Sequence, residues 1–397
     1  MPPSSLTGAA LSRRTIWLCA LVAVLEGFDL QAAGVAAPKL VPAMGLEPSI
    51  LGWFFSASTI GMFFGAYLGG WLSDRIGRKT VLLLSVVLFG LCSILTGLAQ
   101  DETQLIVARL ITGIGLGGAL PNLIALVSEN SAPERKGRAV AFMYCGTPIG
   151  GAIASVAALY TDDWETIFHL GGILPLLFAP VLFWLLPSST AQAATAETPA
   201  RVGVGTALFG EGRAAQTLLL WAAFFATLLV LYLLLNWTPS LLAAQGFDRG
   251  AITLFQMIFN LAGAVSCLIA ASWLDGRRAF WIGAAAFAAI IVFLGLMTVM
   301  PAQIGLVALI ATGLGFGVLI AQALLYGLSS KLYDVRHRGA GAGAAVSVGR
   351  LGSAAGPLLA GAVLAAGLTP DQLLLSIIPF AIIGGICALL LAARVRQ

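Results

Sequence analysis

Long apolar runs separated by short polar loops are the feature that most limits how this chain can fold. Each run is about 20 residues long, which lets an α-helix cross the hydrocarbon core of a bilayer. Polar and apolar residues do not alternate within the runs, so they predict helices rather than the strands of a membrane barrel. Windows of about 19 residues place the spans at 15–38, 50–72, 80–99, 104–128, 139–160, 166–186, 215–236, 250–272, 279–299, 303–328, 340–366 and 372–393. The sequence therefore predicts an all-α membrane protein with twelve transmembrane helices.

The composition supports a lipid environment and argues against several kinds of site. Hydrophobic residues make up 59% of the 397 residues and charged residues only 10%, too few to cover a soluble domain of this length. All five cysteines lie inside apolar runs, and the two histidines lack metal-ligand spacing to a cysteine or carboxylate. No nucleotide-binding loop or Ser/Cys–His arrangement is recognisable. We therefore expect no metal, no cofactor and no enzyme activity.

The distribution of positive charge predicts the orientation. All but four of the 21 Lys and Arg lie at the termini or in loops that follow even-numbered spans. Of these four, Lys39 and Arg249 lie on the opposite side, among Asp and Glu, and Arg109 and Arg350 lie within spans. Because cytoplasmic loops carry the excess of Lys and Arg, both termini are predicted to be cytoplasmic. The same distribution explains the net charge of +4 without a nucleic-acid partner.

The two halves of the chain repeat each other. The segment Thr112–Gly117 reads Thr-Gly-Ile-Gly-Leu-Gly, and Thr312–Gly317 reads Thr-Gly-Leu-Gly-Phe-Gly. We predict an amino-terminal six-helix bundle at 1–190, a cytoplasmic linker at 191–214 and a carboxy-terminal six-helix bundle at 215–397. Paired repeats around a midplane site are the architecture of secondary transporters, so the repeat favours alternating access.

Four charges within the spans break this repeat: Glu26, Asp29, Arg109 and Arg350. Burying such a charge costs roughly 2.5–3.5 kcal/mol on insertion scales, so each should face a wet cavity or a charged partner. Charges present in both halves would serve the shared scaffold, whereas these unrepeated ones are better suited to a ligand. We therefore expect them to bind the transported anion and its coupling proton.

Asp29 and Glu26 are the predicted proton-coupling pair. They stand three residues apart, on one face of the first helix. Two carboxylates in a semi-dry cavity repel each other, so one should bind a proton near the working pH, and Asp29 is the first choice. Arg109 either holds the substrate anion, favours the ionised form of this pair, or locks helices one and four together. Arg350 is expected to contact the substrate carboxylate, with a structural ion pair as the alternative.

Further polar and aromatic side chains in the spans are candidates for substrate contact, with helix packing as the alternative for each. They are Asn122, Tyr144, Asn236, Trp237, Gln256, Asn260, Gln322 and Tyr326. For Trp237, an interfacial anchor is a second alternative. The Gly-rich runs at 113–118 and 339–343 lack a following Lys-Ser/Thr, so they predict close helix packing rather than phosphate binding.

The loop after the second span carries the most specific motif. Residues 70–79 read Gly-Trp-Leu-Ser-Asp-Arg-Ile-Gly-Arg-Lys and resemble the signature loop between helices two and three of the major facilitator superfamily. The twelve spans and the repeat extend this resemblance over the whole chain. It implies the major facilitator fold, with two pseudo-symmetric six-helix bundles, and a monomer.

Within that superfamily, the chain resembles the aromatic acid:proton symporters. Segment 26–29 reads Glu-Gly-Phe-Asp where that family has Asp-Gly-Phe-Asp, and segments 109–122 and 349–352 are similar to its fourth and eleventh helices. With a glutamate at position 26, this segment resembles most the 3-hydroxyphenylpropionate transporters of that family. This implies import of an aromatic carboxylate with protons across a bacterial inner membrane. The alternatives are an antiporter or exporter of organic anions or drugs in the same superfamily, and, as a separate class, a membrane enzyme or sensor.

Charged residues at the cytoplasmic helix ends are predicted to gate transport. Asp74 is placed to meet a helix amino terminus, a contact worth about 0.3–1 kcal/mol that can latch the cytoplasmic side and break during transport. Charge that only sets topology is the alternative, and the matching Asp275 in the repeat favours the latch. The predicted gating residues are Asp74, Arg75, Gly77, Arg78, Lys79, Asp275, Arg277, Arg278 and Arg338.

Overall fold

The structure is a computed structural model that describes residues 6–187, 204–210, 212–273, 278–299, 303–333 and 337–394. Within these ranges all regular structure is α-helical apart from a 3₁₀ turn at Pro133–Arg135, which confirms the predicted class. The helices are α1 Leu6–Met44, α2 Pro48–Ile76, α3 Arg78–Gly97, α4 Glu102–Glu129, α5 Lys136–Tyr144, α6 Gly146–Tyr160, α7 Glu165–Leu185, α8 Val204–Phe209, α9 Ala214–Ala244, α10 Arg249–Trp273, α11 Arg278–Met297, α12 Ile304–Leu332, α13 Arg338–Ala365 and α14 Pro370–Arg394.

Twelve segments of the described chain are long and apolar enough to cross a membrane, which confirms the predicted number. Their ends differ from the prediction. The first span was predicted to end at residue 38, but α1 continues through Pro38 and Pro42 to Met44. A hydropathy window finds where an apolar run ends, whereas a helix continues for as long as its backbone hydrogen bonds do.

The fifth span is broken inside the membrane, which hydropathy did not predict. The helix α5 ends at Tyr144 and α6 begins at Gly146, so that the two together form one span. Pro148 has no N–H to donate to the carbonyl of Tyr144 four residues earlier, and its ring disfavours an unbroken helix. Backbone bonds of 3.1 and 3.2 Å on either side of Cys145 carry the chain across the break.

Packing divides the chain into two compact units. The first comprises Met1–Leu46 and Ala57–Ala193, and the second comprises Glu47–Ser56 and Ala194–Gln397. The opening turns of α2 thus belong to the second unit. There the hydroxyl of Ser56 donates to Ala354 O at 2.7 Å. The sequence assigned whole helices to one bundle, and its domain boundaries stay a prediction.

Glycines bring neighbouring helices into backbone contact. A Cβ on Gly113 of α4 would lie 2.0 Å from Ser58 O of α2, and a Cβ on Gly65 of α2 would lie 2.1 Å from Ile114 O of α4. In the second unit, a Cβ on Gly315 of α12 would lie 2.1 Å from a carbonyl oxygen of α10. We call the α2–α4 contact the glycine seam. The repeated Thr-Gly-x-Gly-x-Gly motif therefore packs helices, which is the role that the sequence predicted for the run 113–118.

Candidate functional site

A fully buried ion pair joins α1 to α4. Arg109 Nη1 donates to Asp29 Oδ1 at 2.7 Å, and Arg109 Nη2 donates to the backbone oxygen of Asp29 at 3.3 Å. The arginine side chain is 1% exposed and the carboxylate 0%. The sequence left the partner of Arg109 open. In the structure, that partner is Asp29.

An aromatic ring lies beside the arginine of this ion pair. The ring of Phe168 on α7 lies 5.7 Å from Arg109 Cζ, and its side chain is fully buried. Moving two charges out of water costs several kcal/mol per ion, which only their mutual attraction and good geometry offset. Removing one partner should therefore cost about 3–5 kcal/mol. An event that neutralises Asp29 leaves the Arg109 cation without its counter-ion.

The pair is not fully satisfied. Asp29 Oδ2 and Arg109 Nε are buried and have no hydrogen-bond partner among the described residues. A buried polar atom without a partner costs about 1–3 kcal/mol, more when it is charged. The second carboxylate oxygen is thus a buried acceptor that the ion pair itself leaves unsatisfied.

Glu26 lies one turn before Asp29 on α1 and is 2% exposed. This burial argues against a Glu26 side chain that extends to the membrane surface. The helix α1 is close-packed here, because a Cβ on Gly27 would lie 1.9 Å from Thr147 O. Two carboxyl groups are therefore held one turn apart in the interior of the first unit, and their role in proton coupling stays a prediction.

In the second unit, Arg350 donates from Nη1 to the hydroxyl of Tyr232 at 2.9 Å, joining α13 to α9. Tyr232 is 6% exposed and Arg350 is half-buried. The sequence singled out Arg350 but missed Tyr232. A usable signal was present, since Tyr232 is the one hydrogen-bonding side chain in the run 228–235, and a buried tyrosine hydroxyl usually finds a partner.

The predicted amide contacts of the second unit are already bonded to the backbone. Asn236 Nδ2 donates to Tyr232 O at 2.7 Å, Gln256 Nε2 to Leu235 O at 3.3 Å, and Asn260 Nδ2 to Gln256 O at 2.8 Å. All three side chains are buried. Their contact with substrate stays a prediction.

Trp237 serves the packing of the second unit. Its Nε1 donates to Pro357 O at 3.1 Å, and its ring meets that of Phe55 edge-on with centroids 5.3 Å apart. At 2% exposed it is not an interfacial anchor. The remaining candidates are Asn122, which donates to Gly118 O at 2.8 Å, the half-buried Tyr144 and Gln322, and Tyr326, which stacks edge-on with Phe224 at 5.3 Å.

The predicted gating loop of the first unit is folded by local contacts. Gly77, the residue just before α3, has a φ of 87°, a conformation that favours glycine. Arg75 Cζ lies 3.8 Å from the Trp71 ring, Arg78 pairs with Glu129, and Lys79 Nζ donates to Leu186 O at 2.7 Å. Asp74 is exposed.

The gating residues of the repeat are only partly described. Asp275 and Arg277 lie outside the described residues, as does the side chain of Arg338. Arg278 is exposed and begins α11. The cytoplasmic latch therefore stays a prediction. Within the described part of the chain, no group of three or more His, Cys, Asp or Glu side chains could hold a metal ion.

Comparison with known proteins gives consistent matches over nearly the whole chain. The family model described as Major Facilitator Superfamily matches residues 19–357. The chain is 41% identical over 390 residues to a 3-(3-hydroxy-phenyl)propionate transporter of Escherichia coli (strain K12), covering 96% of this chain and 94% of that protein. It is 31% identical over 385 residues to a gallate transporter of Pseudomonas putida, covering 88% and 85%. The fold is similar to the crystal structure of a D-xylose-proton symporter, with a TM-score of 0.77 at 20% identity, covering 95% and 96%.

Proposed function

Because the chain belongs to the major facilitator superfamily and is a multi-pass membrane transporter rather than an enzyme, we propose that it imports an aromatic carboxylate together with protons by alternating access. The observation that carries the proposal is the buried Asp29–Arg109 ion pair, which supplies a proton acceptor and a cation at one place. The similarity to transporters of hydroxylated aromatic acids supports the substrate class.

The substrate we propose resembles 3-hydroxyphenylpropionate. Both relatives described above are named for acids that combine an aromatic ring with a carboxylate. Arg350 offers such an anion a planar guanidinium that can donate two parallel hydrogen bonds. Its contact with Tyr232 involves Nη1, and a guanidinium carries five N–H donors in all.

The coupling step we propose uses the charge balance of the ion pair. A proton on Asp29 removes the negative charge that holds Arg109, and the buried guanidinium then favours a substrate anion nearby. Protonation and anion binding would therefore promote each other, and by linkage each raises the affinity for the other. Glu26, a second carboxyl group one turn away on α1, would influence how readily Asp29 binds the proton.

The remaining parts of the proposal concern the setting. The distribution of Lys and Arg supports a bacterial inner-membrane protein with both termini in the cytoplasm. We propose that it acts as a monomer in the lipid bilayer, with no cofactor other than the proton, and that Asp74 and its neighbours gate the cytoplasmic side.

Uptake into proteoliposomes tests the proposal. Labelled 3-(3-hydroxyphenyl)propionate should accumulate above equilibrium when the outside is acidic, and a protonophore should abolish this accumulation. Asp29→Asn should remove uphill uptake, whereas Glu134→Gln, which alters an exposed carboxylate outside the proposed gating residues, should retain it. Uphill uptake that survives in Asp29→Asn, or that ignores the protonophore, would refute proton coupling. Lower accumulation in expressing cells than in control cells would instead indicate an exporter.

A further inference from the structure

One atom of the buried ion pair has no role in holding the pair together. Asp29 Oδ1 accepts from Arg109, whereas Asp29 Oδ2 is buried and accepts from none of the described residues. The two oxygens of this carboxylate are therefore not equivalent. Protonating Oδ1 would break the 2.7 Å bond to Arg109, whereas protonating Oδ2 leaves that bond in place.

The space beside Oδ2 is bordered by α3 and α7. A Cβ on Gly171 of α7 would lie 3.4 Å from Asp29 Oδ2 and 3.1 Å from Ser93 Oγ of α3, so both oxygens border the place where glycine lacks a side chain. Ser93 is 0% exposed. The three groups thus meet in the interior of the first unit, away from the glycine seam.

Ser93 Oγ can accept a hydrogen bond in addition to the one that it donates. Its hydroxyl hydrogen is used in the bond to Phe168 O at 3.0 Å, so its lone pairs are what remain. Two acceptors, Ser93 Oγ and Asp29 Oδ2, therefore border one buried space. A hydrogen must lie between two acceptors for them to interact favourably, and a protonated carboxyl supplies one.

We propose that the coupling proton is carried on Asp29 Oδ2 and that Ser93 is a positioning residue whose Oγ accepts the hydrogen bond of the protonated carboxyl, in a space that Gly171 keeps open. This rests on the proposed function, since it specifies the proton site of that function. On loading, an O–H bond forms at Oδ2 and the carboxylate becomes a neutral acid. On release, the same bond breaks, the proton goes to water, and no electrons are exchanged.

The titratable groups near Asp29 are on three elements. They are Glu26 on α1, Cys92 on α3 and Arg109 on α4. The helix α7 contributes the Phe168 ring and Gly171, which do not titrate. Ser93 is also neutral throughout, so its effect on proton binding comes from one hydrogen bond and not from charge.

The test measures uphill uptake of labelled 3-(3-hydroxyphenyl)propionate into proteoliposomes as a function of external pH. Ser93→Ala removes the acceptor for the neutral acid, so proton loading should need more acid. The pH of half-maximal uptake should fall by about half to one unit, the size of one hydrogen bond. Ser93→Thr keeps the hydroxyl and should restore the profile. Ser85→Ala makes the same deletion two turns earlier on the buried face of α3 and should leave it unchanged.

Gly171→Ala provides a second, independent variant. Its methyl group would lie 3.1 Å from Ser93 Oγ and 3.4 Å from Asp29 Oδ2 and would crowd both oxygens, so the half-maximal pH should again fall. Gly295→Ala is the matched control, because a Cβ there meets nothing within 4 Å. Acid-minus-neutral infrared spectra give a readout that does not depend on transport. A protonated-carboxyl band that is absent in Asp29→Asn should shift to higher frequency in Ser93→Ala, because the carboxyl loses its acceptor.

The outcomes separate this inference from the function on which it rests. If Asp29→Asn retains uphill uptake, the proposed function fails. If Asp29→Asn abolishes uptake but Ser93→Ala changes neither the half-maximal pH nor the infrared band, only the role of Ser93 is overturned. A rise in the half-maximal pH would also overturn it, because that would mean that the hydroxyl stabilises the anion. If Ser93→Ala does not fold, Gly171→Ala decides by the same two criteria.

Discussion

The buried ion pair makes a prediction about stability that has a definite dependence on pH. Arg109→Met leaves the Asp29 carboxylate buried without its partner, which should cost about 3–5 kcal/mol at neutral pH. At about 2 °C per kcal/mol for a large chain, the apparent unfolding temperature should fall by about 6–10 °C. The buried carboxylate is relieved by taking a proton, so this loss should shrink as the pH falls.

The reverse variant, Asp29→Asn, should behave differently. It leaves a buried guanidinium that cannot lose its proton, so the loss of stability should be similar at every pH tested. The double variant, Arg109→Met with Asp29→Asn, should lose less stability than the sum of the two single losses, because neither buried charge remains. Thermal unfolding of the purified protein in detergent, followed by tryptophan fluorescence between pH 5 and pH 8, measures all three.

The chain contains a matched control for this experiment. Arg78 pairs with Glu129, but these side chains are 34% and 46% exposed. Because exposed pairs contribute about 0–1 kcal/mol, Arg78→Met should lower the unfolding temperature by at most about 2 °C. Equal effects of Arg78→Met and Arg109→Met, or a loss in Arg109→Met that does not change with pH, would contradict the description of the Asp29–Arg109 pair as a buried ion pair.

Three further predictions follow from contacts described above or from the helix ends. Tyr232→Phe removes a hydrogen bond to the charged Arg350, so the KM for aromatic acid uptake should rise about tenfold or more; an unchanged KM would remove Arg350 from the substrate site. Lys39 Nζ donates to Ala158 O at 2.7 Å at the end of α6, so Lys39→Met should lower stability by about 1 kcal/mol in thermal unfolding while uphill uptake persists. Gly113→Ala should prevent accumulation of folded protein, seen by size-exclusion chromatography, since its Cβ would overlap a backbone oxygen of α2.

Much of the fold was predictable because its determinants are local in sequence. Apolar runs set the number of spans, and the repeat set the packing role of residues 112–117. The break at Cys145 could have been predicted from Pro148, but a hydropathy window does not register a missing backbone donor. The grouping of Glu47–Ser56 with the second unit depends on which helix those turns pack against, and no feature of the segment alone specifies that.

The sequence was sufficient to predict which charged residues belong to the candidate site. It was not sufficient to predict which of their atoms are in contact. Asp29, Arg109 and Arg350 stood out because a charge in an apolar run is costly. Tyr232 was missed because it looks like one more bulky residue of a buried helix. Ser93 and Gly171 carry no such signal, since a serine and a glycine are ordinary in membrane helices. Their relevance comes only from their distances to one carboxylate oxygen.

The glycine seam also has a consequence for entropy. A bilayer provides no hydrophobic driving force for the association of two helices. Their association therefore depends on close packing contacts that cost little conformational entropy. Most close contacts immobilise side chains, and each long side chain held in one rotamer loses up to about 2 kcal/mol of entropy. Where Gly113 meets the backbone at Ser58, the contact comes from atoms that helix formation has already fixed. The seam therefore joins α2 and α4 with almost no side-chain freedom left to lose.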